Sequence, residues 1–230
     1  MSATVPDDGA GSARLAYRRW GDRSGPAIVL LHSLGESSTT WERVAAALAP
    51  CRSVYAFDLR GHGASPHMPQ YSLELMRDDL LDALDELGLV DACLVGHSLG
   101  GMVAYLAAGQ QSAAIGRLVL EEAPPPRRPT PAREVPEEPA ADLPFDWDVV
   151  PAIYAQRNEP DPRWWDALAS ISIPTLVIAG GAKSHVDQQQ LAEMADQFAN
   201  GHLVTIDGGH GVHTDRPEAF VEAIAAFLGL

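Results

Sequence analysis

The 230-residue sequence predicts an α/β fold: a doubly wound, mostly parallel sheet, with a short proline-rich and helical cap inserted after the strand that ends near Glu122. Three observations predict it. Short apolar runs of β-forming residues alternate with stretches of helical period along nearly the whole chain. Several of these runs are apolar throughout rather than at every second residue, the pattern of strands buried on both faces of a parallel sheet. One stretch, residues 123–170, breaks the alternation.

Taken in order, residues 1–12 read as a disordered lead. "ARLAYRRW" (13–20) predicts an early strand closed by "GDRSGP", and "AIVLLH" (27–32) a strand buried on both faces. "SSTTWERVAAALAP" offers small N-cap residues, helical period and a closing proline. "SVYAFD" (53–58) predicts the next strand. "SLELMRDDLLDALDELGL" (72–89) predicts an amphipathic helix with Leu73, Met76, Leu80, Leu84 and Leu87 on one face and Gly88 ending it. "ACLVGH" predicts a buried strand, "SLGGMVAYLAAGQ" a small-residue helix and "RLVLEE" (117–122) a strand. "IPTLVIAGG" (173–181) and "HLVTID" (202–207) predict strands around the helix "DQQQLAEMADQFA"; "RPEAFVEAIAAFLGL" predicts a last helix with Pro217 in its first turn.

The exception has its own chemistry. Eight of the eighteen prolines lie between Pro124 and Pro144, so that stretch cannot form a regular helix or a central strand. Trp147, Tyr154, Trp164 and Trp165 follow it and predict packing by one or two helices. The expected division is therefore a core of residues 13–122 and 171–230 with a cap of residues 123–170.

Bulk properties bound the function. The length suits one domain with a full core. A formal charge of −15 repels phosphate backbones and anionic lipid, so neither nucleic acid nor membrane is an expected partner; a small-molecule substrate is, and the oligomeric state stays open. The same charge leads to an expectation of a substrate uncharged or weakly charged around the scissile bond. The N-terminus has no signal-peptide core, and no apolar run approaches the ~18 residues of a membrane span. Cys51 and Cys93 read as two reduced thiols of a cytoplasmic protein.

"CLVGHSLGG" carries the chemistry. Gly96 to Gly100 fits G-x-S-x-G around Ser98, with a strand running in and a helix running out. A serine on such a turn stands above the sheet edge, and the helix N-terminus offers amides to a developing anion. The bland alternative, a glycine-rich turn with an incidental serine, does not account for the elements on both sides.

Four motifs then stand in order: "LLHSLGESSTTW", "FDLRGHGAS", "VGHSLGG" and "GGHGVHTDRPEAF". Together they resemble the α/β-hydrolase superfamily, its serine hydrolase or esterase-like branch, from about Ala13 to Leu230. The resemblance implies the α/β-hydrolase fold and says little about the substrate. It implies Ser98 as nucleophile and His210 as the late base, since triads on this fold run serine, acid, histidine. His213 reads as a packing residue. A metal held by His210 and His213 lacks a suggested third ligand, so no metal and no cofactor are expected. His32 and His62 read as loop-holding residues, His97 as support for the turn, and Asp58 as a loop brace.

The acid is where the sequence departs from the family. After "PTLVIAG" the family places an aspartate where this chain has Lys183, which cannot orient a histidine. Asp187 reads as the N-cap of the next helix. Some relatives, haloalkane dehalogenases among them, place the acid at the end of the preceding strand, and Glu121 matches that place; Glu122 matches a site where many relatives carry a non-catalytic aspartate. Successive strand residues face opposite sides, so at most one of the two should face His210. Glu121 is the expected acid, with Glu122 and Asp187 as alternatives. By position, the oxyanion amides are those of Leu34 and Leu99, although Ser33 stands where the family carries glycine.

The expected activity is a Ser–His–Glu hydrolase that cleaves an ester, thioester or lactone through an acyl-enzyme. An acyltransferase or carbon–carbon bond hydrolase would use the same parts, and a non-catalytic small-molecule-binding protein on the same scaffold is the rival from another class.

Overall fold

The computed structural model describes residues 13–230; the expected lead, residues 1–12, lies outside the described residues. The elements in chain order are β1 (Tyr17–Trp20), β2 (Ile28–Leu31), α1 (Glu42–Leu48), β3 (Val54–Phe57), α2 (Leu73–Glu86), β4 (Ala92–His97) and α3 (Leu99–Ala108). Then come β5 (Ile115–Glu121), α4 (Val149–Asn158), α5 (Arg163–Leu168), β6 (Thr175–Ala179), α6 (Gln188–Gln197), β7 (Gly201–Thr205), α7 (Val212–Asp215) and α8 (Pro217–Leu228). The seven strands form one sheet in the order β1-β3-β2-β4-β5-β6-β7, parallel except for β1.

The continuous apolar runs are explained by the layers. In β2, Val29 and Leu31 join a core shared with α2 and α3, whereas Ile28 and Leu30 join a second core shared with α1 and α8. Both faces of the strand are covered, so every position must be apolar. In α2 the apolar face buries Leu73, Met76, Leu80 and Leu84, and Ser72 caps the helix by accepting from the Leu75 amide.

The strand order also places the site. From β2 the chain moves to β3 on one side and then crosses to β4 on the other. That reversal leaves a crevice beyond the carboxyl ends of β2 and β4, where ligands bind in open α/β sheets. The loop after β2 and the turn after β4 both open into it.

Between β5 and α4 the chain runs irregularly, and residues 124–144 form neither helix nor strand. His62 and Phe145 make a single bridge. The helices that follow dock on α2: Val149, Val150, Ile153 and Trp164 are buried, Gln156 accepts from the Leu73 amide at 2.8 Å, and Trp164 Nε1 donates to Glu74 at 3.2 Å.

Candidate active site

Ser98 occupies the junction of β4 and α3 with φ +50° and ψ −111°, a conformation that costs a non-glycine residue on the order of 1–3 kcal/mol. Its amide donates to the Glu121 carbonyl at 2.9 Å, and its carbonyl accepts from the Met102 amide at 3.0 Å, so the turn is held at both ends. The flanking glycines are needed for space. A side chain on Gly96 would strike the Gly100 carbonyl, and one on Gly100 would strike the Leu31 carbonyl. Only hydrogen at both positions lets strand and helix meet closely enough for Ser98 to project between them.

His210 follows β7 and lines the same cavity as Ser98. His97 Nε2 donates to its carbonyl at 2.8 Å, and the rings of His97 and His185 lie with centroids 4.7 and 4.3 Å from its ring.

The two glutamates require a correction to the sequence expectation. Glu121 does not face His210. Its carboxylate turns to His213, accepting from His213 Nδ1 at 2.8 Å and from the His213 amide at 2.9 Å. Glu122 faces His210 instead, with Oε2 3.5 Å from His210 Nδ1. The cause is local. Glu121 is the last residue of β5 and, with Val119, points to the face that carries α1 and α8. Glu122 leaves the strand at φ +53°, which swings its side chain toward the cavity. Its carboxylate also accepts from Ser184 Oγ, the Gly180 amide and Gln188 Nε2. Burial alone would raise the Glu122 carboxyl, but His210 and these three donors outweigh it and hold the group below its ordinary range.

Asp187 accepts from the Gln189 amide at 3.0 Å as the N-cap of α6, as its position predicts. Lys183 is exposed, its ammonium 3.7 Å from Asp207.

Beneath the site lies a network that the sequence did not reveal as a unit. His213 is fully buried and stacks on Trp41 with ring centroids 3.9 Å apart. His97 Nδ1 stands 3.7 Å from Glu36, whose carboxylate also accepts from the Ser33 amide at 3.2 Å. Burial would raise the Glu36 carboxyl; the hydrogen bond and charge of His97 reverse this and bring it down to about 2. Glu36, His97 and His213 each turn one ligand atom toward the others, all within 4.8 Å, and form the group among the described residues that could hold a metal ion. Glu36, four residues along the loop from His32, sits inside the "LLHSLGESSTTW" motif, which gives it no role of its own.

The loop after β2 is fixed by two neutral imidazoles. His32 Nδ1 donates to the Ser33 carbonyl at 2.7 Å while Nε2 accepts from the Leu59 amide at 3.0 Å. His62 Nδ1 donates to the Arg60 carbonyl at 3.0 Å while Nε2 accepts from the Gly35 amide at 3.1 Å. Burial, then the neighbouring His32, lowers the His62 pKa to about 4, consistent with this neutral tautomer. Asp58 accepts from the Ser38 and Ala64 amides and so braces this loop against the next. The left-handed residue here is Gly35, at φ +79°, and not Ser33. Serine at position 33 therefore carries no backbone penalty. The amides of Ser33, Gly35 and Gly100 are all taken; among the described residues, those of Leu34 and Leu99 have no partner.

Ser98, His210, Leu34 and Glu122 border one cavity of about 290 Å³. A strained serine after a parallel strand, a histidine beside it with a buried carboxylate behind, and two free amides define the class: hydrolases of the α/β sheet. The profile of the alpha/beta hydrolase family matches residues 28–223, and the chain belongs to that family. It is 32% identical to the sn-1-specific diacylglycerol lipase ABHD11 of Mus musculus, over 90% of this chain and 82% of that protein. A hydrolase from Pseudomonas aeruginosa superposes with a TM-score of 0.84 at 29% identity, covering 100% of this chain and 98% of the other. An esterase from Thermogutta terrifontis, solved with malate bound, superposes at 0.83 with 26% identity, covering 94% and 93%. The chain is a hydrolase whose relatives cleave esters. No described helix is long and apolar enough to cross a membrane.

Proposed function

We propose that this protein is a serine hydrolase of small esters or lactones in which Ser98 is the nucleophile, His210 the base and Glu122 the acid that orients it. The observation that carries the reading is the convergence on one cavity of a serine held at φ +50°, His210, and a buried carboxylate 3.5 Å behind His210 Nδ1. The contact is long for a hydrogen bond, and such contacts often tighten when substrate binds.

With Nδ1–H directed at Glu122, His210 Nε2 keeps its lone pair for the Ser98 hydroxyl. Nε2 takes the proton as Oγ attacks the carbonyl carbon, and the Leu34 and Leu99 amides receive the oxyanion. Collapse breaks the bond to the leaving oxygen, which takes the proton from Nε2. Water then repeats the sequence on the acyl group and regenerates Ser98. Glu122 offsets the imidazolium in both halves. A cavity of about 290 Å³ lies at the small end for ligand sites, which favours a short acyl group.

The test is covalent labelling. A serine-directed phosphonate should modify the wild type at Ser98, located by peptide mapping, and should not modify Ser98→Ala. The same variant should lose about 10⁴-fold or more in kcat toward a short-chain aryl ester while its melting curve stays in place. Labelling at another residue, or retention of most of the rate, would remove Ser98 from the role.

A further inference from the structure

The cavity above Ser98 does not share the charge of the chain around it. The sequence holds 16 Lys and Arg against 31 Asp and Glu, yet Arg127, Arg133 and Arg157 all border this cavity. All three come from the segment between β5 and β6. Arg127 is committed elsewhere: its guanidinium pairs with Glu193 at 2.5 Å and lies 4.7 Å over the Trp165 ring. Arg133 and Arg157 lack an anionic partner: among the described residues neither guanidinium has an ion pair or a hydrogen bond, although that of Arg157 lies 6.0 Å from the Tyr154 ring centroid.

Their placement is built. Asn158 accepts from the Arg133 amide and donates to the Arg133 carbonyl, both at 2.9 Å. Asn158 follows Arg157 in α4, so this clamp holds the Arg133 backbone beside the end of α4, and both arginines line the cavity. Burial lowers the pKa of Arg157, and the charge of Arg133 lowers it further. His185, on the same wall, is lowered by burial, by His210 and by both arginines. The carboxylates at the cavity are already engaged: Glu122 with His210, Ser184, Gly180 and Gln188, and Asp187 with the Gln189 amide. Arg157 is partly buried with no counterion among the described residues, and the charge of the exposed Arg133 acts on it unfavourably; an anion bound from outside would relieve both.

We infer that Arg133 and Arg157 form a carboxylate-binding subsite, and that the substrate is a small ester or lactone carrying a second, free carboxylate away from the scissile bond. A guanidinium fork matches the two oxygens of a carboxylate. The cavity of about 290 Å³ that contains both the arginines and Ser98 keeps the substrate small. The inference rests on the hydrolase reading for the bond that is cut, but not for the anion that is bound. It adds to the expectation of a substrate uncharged or weakly charged around the scissile bond, because net charge reports the whole surface and not the potential inside one cavity.

The experiment compares 4-nitrophenyl hemiadipate with its methyl-capped, neutral counterpart. The wild type should prefer the anionic ester by about tenfold or more in kcat/KM. Arg157→Gln and Arg133→Gln should each cut that ratio by about tenfold, and Arg157→Lys, which keeps the charge and loses the fork, should retain part of it. Arg128→Gln, at an exposed pair with Glu159 outside the cavity, should leave the ratio unchanged. A wild-type ratio of one or below, or a ratio unmoved by both glutamine variants, would overturn the subsite; so would competition by inorganic phosphate but not by adipate. Should neither ester be cut and the phosphonate fail to label Ser98, the hydrolase reading falls. Calorimetric titration with adipate, wild type against Arg157→Gln, then still decides whether the arginines bind a carboxylate.

Discussion

Two glutamate–histidine pairs stand side by side in this molecule, and they differ in their access to the cavity. Glu121 pairs with His213 at 2.8 Å, both side chains fully buried, with the His213 amide donating to the same carboxylate. Glu122 pairs with His210 at 3.5 Å, its histidine 27% exposed on the cavity wall. The acids are consecutive and the bases are three residues apart, yet the first pair is shut off from solvent and the second borders the cavity. A fully buried pair whose carboxylate is held by two hydrogen bonds from its histidine fixes geometry. A pair with one face open can gain and lose a proton as chemistry requires. On the proposed mechanism, access, more than residue identity, separates a positioning pair from a reacting one.

The largest effect should come from the open pair. Glu122→Gln keeps the size and removes the charge that would offset the His210 imidazolium. It should lower kcat by about 10²- to 10⁴-fold, with a melting temperature close to wild type. Steady-state kinetics beside a thermal melt would check it. A variant with near wild-type kcat would mean that the comparison has been drawn between two structural pairs.

Glu121→Gln should act in the opposite sense. It removes the buried carboxylate that His213 donates to twice and should cost about 3 kcal/mol of stability by urea unfolding, while kcat falls far less than in Glu122→Gln. A pH series sharpens this. Burial would raise the Glu121 carboxyl, but His97 and His213 hold it below the ordinary range. A depressed acid contributes stability above its unfolded value, about 4.3, and loses it as pH falls through the folded value. The wild type should therefore lose stability below about pH 4 more steeply than Glu121→Gln, which has no such contribution to lose.

Much of this was legible in the sequence, and the part that was not has a physical reason. The apolar runs and the G-x-S-x-G turn report local properties, period and space, which a sequence carries directly. The missing aspartate at Lys183 pointed to the end of β5, and the alternation of strand faces allowed at most one of the two glutamates to face His210. Which one depended on two facts that no local pattern holds. The face shared by Val119 and Glu121 is the one that α1 and α8 cover, and Glu122 takes a left-handed φ that breaks the strand's alternation. Glu36, Ser184 and Arg157 were missed for the same reason: each joins the site only after the sheet has brought distant loops together.

The smallest effect concerns Asp187, the remaining carboxylate of the loop that the family uses for its acid. It borders the cavity, so proximity alone would allow it a part in the chemistry. Its geometry says otherwise. Asp187 sits at φ −65° and ψ 109°, and its oxygen accepts from the Gln189 amide at 3.0 Å, so the side chain caps α6. Asp187→Ala should cost about 1 kcal/mol of stability through the lost cap, and Asp187→Asn, which can cap equally well, almost none. Neither should change kcat by more than about threefold, because Glu122 remains behind His210. If both variants instead lost activity to the same degree while stability differed, charge rather than capping would be what Asp187 supplies. The contrast between an open and a closed glutamate would then have to admit a third carboxylate on the open side.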